Sequence, residues 1–215
     1  MTLPLPAVPP RRVRDRLPAW ARAGAGMVEG WHGWFGTFNG VVLLTVAAFP
    51  VAVLAAWILA RRRRDAGTAS AWRRSLAEVG IGYGTVPWVW MIMLPGDQAG
   101  VVPGRVSLVP LRDLVTIFAD GGPLTATVQV VGNLLVFAAL GFLAPLRFAA
   151  LRSVPRILAL AAACSVVVEA AQYVLRLDRV SSVDDVLLNA AGAGLAALAS
   201  RRWWRATAPV PSTRT

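Results

Sequence analysis

The sequence predicts an all-α fold, a polytopic membrane helix bundle of about five transmembrane helices with its N-terminus outside and its C-terminus inside. Three observations predict it. The chain of 215 residues is 56% hydrophobic and only 15% charged, with a mean hydropathy of +0.58, which is too apolar for an ordinary soluble domain of this size. Five apolar runs, at about 40–60, 76–94, 127–146, 157–175 and 183–200, reach or approach the roughly 20 residues that cross about 30 Å of hydrocarbon as helix. The third observation is arginine placement. All 22 basic residues are Arg, and they gather at the ends of the apolar runs rather than along a polar face. The net charge of +11 therefore reads as a topology signal and not as a nucleic-acid surface.

Residues 1–26 are rich in Pro, Arg and Ala and lack the apolar core of a secretory signal; the whole 1–39 segment is expected to be a poorly ordered tail. The first span, 40–60, carries Pro50 as an expected kink, and Arg61–Arg64 end it. With Arg73 and Arg74 these arginines mark the following loop as cytoplasmic. Alternation then puts Arg147, Arg152, Arg156, Arg201, Arg202 and Arg205 inside too, twelve in all, against five outside at Arg22, Arg105, Arg112, Arg176 and Arg179. Arg11, Arg12, Arg14 and Arg16 would also lie outside, but a start at Met27 would remove them. A native peptide from residues 1–26 in mass spectrometry would end that idea.

The second span, 76–94, carries Trp88 and Trp90 toward its outer end, and Trp203 and Trp204 follow the last span; indoles favour the headgroup region, so all four read as interface anchors. Between spans two and three, VSLVPLRDLVTIF (106–118) is too short and too charged to cross and is expected at the outer interface. Cys164 is the one cysteine and His32 the one histidine. Neither a thiol or imidazole metal site nor a Ser/His/Asp arrangement has its components, and no cofactor is expected.

Polar side chains inside membrane helices cost a few kcal/mol at the centre, so each asks for a partner or a purpose. In span three Gln129 and Asn133 share a face. In span four Ser165, Glu169, Gln172 and Arg176 follow one stripe; in span five Asp185, Asn189 and Gly192 do the same. The topology puts these groups in one layer near the outer ends of the last three spans, below loops holding Arg105, Arg112 and Arg179. A polar pocket open to the outside is the simplest geometry. Plainer roles stand beside it: Asp184 and Asp185 open a helix and suit capping, and Asn133, Gln172 and Asn189 suit interhelical hydrogen bonds at a contact that Gly192 and Gly194 permit.

The stretches GNLLVFAALGFLAPL (132–146) and EAAQYVLRLDRVSSVDDVLLNAAGAG (169–194) resemble the VanZ-like family of small bacterial membrane proteins. Glu169, Gln172, Arg179, Asp185 and Asn189 fall at the spacing of that family's E-x-x-Q, R and D-x-x-x-N, and LVPLR (108–112) is similar to its N-L-V-P-F-R element, which assigns Pro110 and Arg112. Ser107, Leu111, Ala139 and Ser182 depart from the family pattern. The resemblance divides the chain into the 1–39 tail, an extra transmembrane helix at 40–60, a VanZ-like transmembrane domain at 76–200 and a cytoplasmic tail at 201–215. It also implies a multi-pass protein of the bacterial plasma membrane, some relatives of which confer low-level teicoplanin resistance.

The expected binding set is Arg112, Asn133, Glu169, Gln172, Arg179, Asp185 and Asn189. Its first reading is an envelope protein whose outer-leaflet pocket holds an anionic lipid or lipid-linked cell-wall group, with Arg179 and Arg112 on the headgroup and Glu169 and Asp185 holding those arginines. A second is a membrane-embedded enzyme with Glu169 as general base and Asp185 as its partner; a third is a scaffold or transporter subunit.

Overall fold

The computed structural model describes residues 37–68 and 70–205; the expectations for residues 1–36, including the Met27 start, and for 206–215 lie outside them. Helix α1, Phe38–Asp65, begins where the Thr37 hydroxyl accepts from Gly40 N at 3.1 Å. It does not stop at the arginines. Arg61–Arg64 continue it by a further turn, since arginine is a good helix former and cations suit the negative end of the helix dipole. Pro50 lies inside it. Its long apolar side chains, among them Val46, Phe49, Val51 and Leu54, are exposed on the outside of the bundle, the surface lipid tails cover in a membrane.

Helix α2, Ala71–Ile92, packs along α1, and Tyr83 donates its hydroxyl to the Thr45 carbonyl at 2.8 Å. A short strand β1, Arg105–Ser107, and helix α3, Arg112–Asp120, follow. The expected third span is two helices, α4 (Gly122–Val136) and α5 (Ala138–Arg147), divided at Phe137, whose φ of −112° and ψ of 14° leave the helical basin. After a turn at Ala149–Leu151 come α6 (Val154–Val174), strand β2 (Val180–Ser182) and α7 (Val183–Arg205).

Among the described residues four helical stretches are long and apolar enough to cross a membrane: α1, α4 with α5, α6 and α7. Helix α2 is long enough but less apolar, because Glu78 and Gly80, Gly82 and Gly84 dilute its run. The protein is a multi-pass membrane helix bundle.

Helix α7 is the axis, packed against α4, α5 and α6. The core is built largely from small residues, with Ala144, Ala161, Ala193 and Ala197 beside Val136, Phe137 and Ile157. Close backbone approach replaces bulky interdigitation here. A side chain at Gly192 would collide with the Leu134 backbone, and one at Gly141 with that of Ala193. Gly192 thus does what its stripe position predicts, whereas Gly194 faces only the movable Leu158 side chain.

The tryptophans divide. Trp90 and Trp203 are about 40% exposed, as anchors should be, and Arg202 lies 4.2 Å over the Trp203 ring. Trp204 is buried and donates to the Ala197 carbonyl at 3.3 Å, and Trp88 packs against the core; those two do not serve as exposed anchors.

Candidate functional site

At the end of the bundle where α2 and α6 finish and α4 and α7 begin, two loops are stitched together. Strands β1 and β2 pair in parallel, with Arg105 opposite Val180 and Ser107 opposite Ser182. Gly96 N and Gly100 N donate to the carbonyls of Leu177 and Arg176, each at 2.9 Å. Asp178 accepts from Gln98 N at 3.1 Å and pairs with Arg105 at 3.6 Å.

Asp184 settles the capping question in an unexpected way. Its carboxylate accepts from the backbone N–H groups of Leu111 (2.5 Å), Asp113 (3.0 Å) and Leu114 (3.1 Å). It therefore caps the start of α3, seventy residues away in sequence, and holds Leu111 at a φ of +66°, a conformation costly for a branched side chain. The start of its own helix is capped by Ser182, whose hydroxyl accepts from Asp184 N at 3.1 Å and donates to Asp113. Helix α3 is consequently fixed across the bundle. Leu111, Val115 and Phe118 form an exposed apolar stripe, while Asp113, Leu114 and Ile117 turn inward.

What they turn toward is a partly open cavity of about 850 Å³ enclosed by α2, α3, α4, α6 and α7. Its lining is mixed: Trp88, Met91, Ile92, Ile117, Val128 and Leu135 supply apolar surface, and Gln129, Asn133, Glu169, Gln172, Ser182 and Asp185 supply polar groups. Arg105 and Arg179 stand at its exposed rim, where Arg179 donates to the Leu94 carbonyl at 3.4 Å.

Five of the seven residues expected to bind line this cavity: Asn133, Glu169, Gln172, Arg179 and Asp185. Two do not. Arg112 is exposed on α3 and outside the lining, where Asp113 and Leu114 take the inward positions. Asn189, one turn deeper than Asp185, is fully buried and donates to Ser165 Oγ at 2.8 Å, so it ties α6 to α7.

The expected pairing of Glu169 and Asp185 with arginines is not found among the described residues. Glu169 Oε2 accepts from Ser182 N at 3.0 Å, and Ser181 donates to the Glu169 carbonyl at 2.9 Å. Asp185 Oδ1 accepts from Asn133 Nδ2 at 2.5 Å and Gln129 Nε2 at 3.2 Å. Gln172 Nε2 donates to the Ile92 carbonyl at 2.8 Å. A strand N–H and amide groups, not guanidinium groups, engage the carboxylates, and the arginines are drawn to a loop carbonyl and Asp178.

The sequence reading also left Arg105, Asp113, Asp178 and Ser182 out of the binding set. Asp178 lies in a loop, Arg105 and Ser182 in three-residue strands and Asp113 in the short helix α3, none of them on a spanning helix whose stripe marks a side chain as facing inward.

The family model described as VanZ/LLP1 matches residues 83–204, a span that contains every lining residue except Phe38. No curated protein and no solved structure matches the chain.

Proposed function

The chain belongs to the VanZ/LLP1 family, and we propose on that premise that it is a bacterial plasma-membrane protein binding a lipid or lipid-linked cell-wall group by an anionic phosphate. The observation that carries this reading is a cavity lined by both apolar and polar side chains, with the exposed Arg105 and Arg179 at its rim. An amphiphile matches that lining: its chain takes the apolar side chains and the arginines take the phosphate as charge-assisted donors.

The arginine bias of the sequence supports the orientation, N-terminus out and C-terminus in, which sets the cavity in the outer leaflet. There it meets the lipids on which envelope-directed glycopeptides act, and this links the reading to the teicoplanin resistance of some relatives.

Native mass spectrometry of the protein in mild detergent tests it. Wild type should carry a phosphate-bearing amphiphile, and Arg105→Ala with Arg179→Ala should lower its occupancy about ten-fold or more, as expected for loss of two charge-assisted contacts. Equal lipid load in both proteins rejects the reading. Expression of the wild type, and not of the variant, should raise the teicoplanin concentration a susceptible host survives.

A further inference from the structure

Two carboxylates, Glu169 and Asp185, line the cavity, and among the described residues neither pairs with a basic side chain. Gln172 commits its amide nitrogen to the Ile92 carbonyl, and Asn133 and Gln129 commit theirs to Asp185. Because each of these partners is itself an acceptor, the nitrogen of each amide faces it, and each amide keeps its oxygen and a second N–H. Glu169 accepts from Ser182 N with the Ser181 hydroxyl beside it, Asp185 Oδ1 is taken by the two amides, and among the described residues no donor meets Asp185 Oδ2 or Gln172 Oε1. Glu169 and Gln172 are 8% and 5% exposed, so bulk water scarcely reaches these two side chains, and Asp185 is half-buried beside them.

A phosphate suits the arginine rim and is repelled by the two carboxylates. Carboxylates without a cationic partner in a desolvated place call for a cation. Among the described residues no three carboxylate, imidazole or thiol groups come together as a metal site, whereas a primary ammonium has three N–H donors and a quaternary ammonium none.

Resting on the proposed lipid-binding function, we infer that the headgroup carries a primary ammonium beside its phosphate, as in a phosphatidylethanolamine-type lipid. The phosphate meets Arg105 and Arg179 at the rim. The ammonium reaches inward to Glu169, Asp185 and the Gln172 amide oxygen, and the acyl chains follow the apolar side chains of the lining.

The test is competition by native mass spectrometry of the full chain, with equal amounts of phosphatidylethanolamine, phosphatidylglycerol and phosphatidylcholine. Phosphatidylethanolamine should be favoured about ten-fold over each rival, the scale of a charge-assisted hydrogen bond. Glu169→Gln with Asp185→Asn, which keeps size and shape, should erase that preference while phosphatidylglycerol still binds. Equal binding of the ethanolamine and choline lipids, a preference for phosphatidylglycerol, or a preference that survives the double variant overturns the inference and leaves the proposed function standing. Binding of no phospholipid in any arm overturns both. Unfolding temperature and elution volume of the double variant, matched to wild type, separate a lost preference from a lost fold.

Discussion

The two ends of the bundle use the same residue type in opposite ways. At the arginine-rich end, Glu78 of α2 is held by Arg63 of α1 and Arg147 of α5, and Arg63 also donates to Ser75 Oγ at 2.9 Å. Both carboxylate oxygens are taken by guanidinium groups, so the cluster is closed. At the other end Glu169 and Asp185 accept from N–H groups and, among the described residues, face a cavity instead of a cation. A neutralised carboxylate serves as a fastener; one left without a cationic partner in a desolvated place is available to a ligand at some cost in stability.

The largest effect should come from breaking the closed end. Glu78→Ala leaves two guanidinium groups facing each other, with side chains about a quarter exposed, and should cost about 2–3 kcal/mol, somewhat below the loss for a fully buried pair. Unfolding in detergent followed by tryptophan fluorescence measures it, and bound lipid should be unchanged. A stability loss below about 0.5 kcal/mol would mean that the cluster is not a fastener.

Asp184→Ala should come next. It removes the acceptor of three α3 N–H groups and should cost about 1–2 kcal/mol, the upper range for an N-cap. Limited proteolysis should then cut near Leu111 first; unchanged cleavage would show that Asp184 does not hold α3. Smallest is Glu169→Gln, which keeps an acceptor for Ser182 N and removes a charge from a desolvated site. Stability should hold or rise by a few tenths of a kcal/mol, and a fall beyond about 1 kcal/mol would make Glu169 a fastener like Glu78.

Much of this was legible in the sequence because helices in a membrane announce themselves locally. Glu169, Gln172, Asn133 and Asp185 stand out as polar residues at helical spacing in apolar runs. Glu78 was just as visible as an ionisable residue in an apolar run, but its partners lie on helices fifteen and sixty-nine positions away, and charge near a span's end reads first as topology. Asp184 looked like a cap and is one, for a helix the sequence could not connect to it.

The sequence by itself determined the membrane class, the approximate spans and the layer in which polar groups gather, since hydrocarbon thickness and helix periodicity act on consecutive residues. Only the tertiary structure decided which polar groups meet. It sent Asn189 into a helix contact, turned Arg112 away from the cavity and brought Arg105 to the rim in its place. Those outcomes depend on loops pairing across the bundle and on the close backbone contact at Gly192. Neither leaves a periodic mark in the chain.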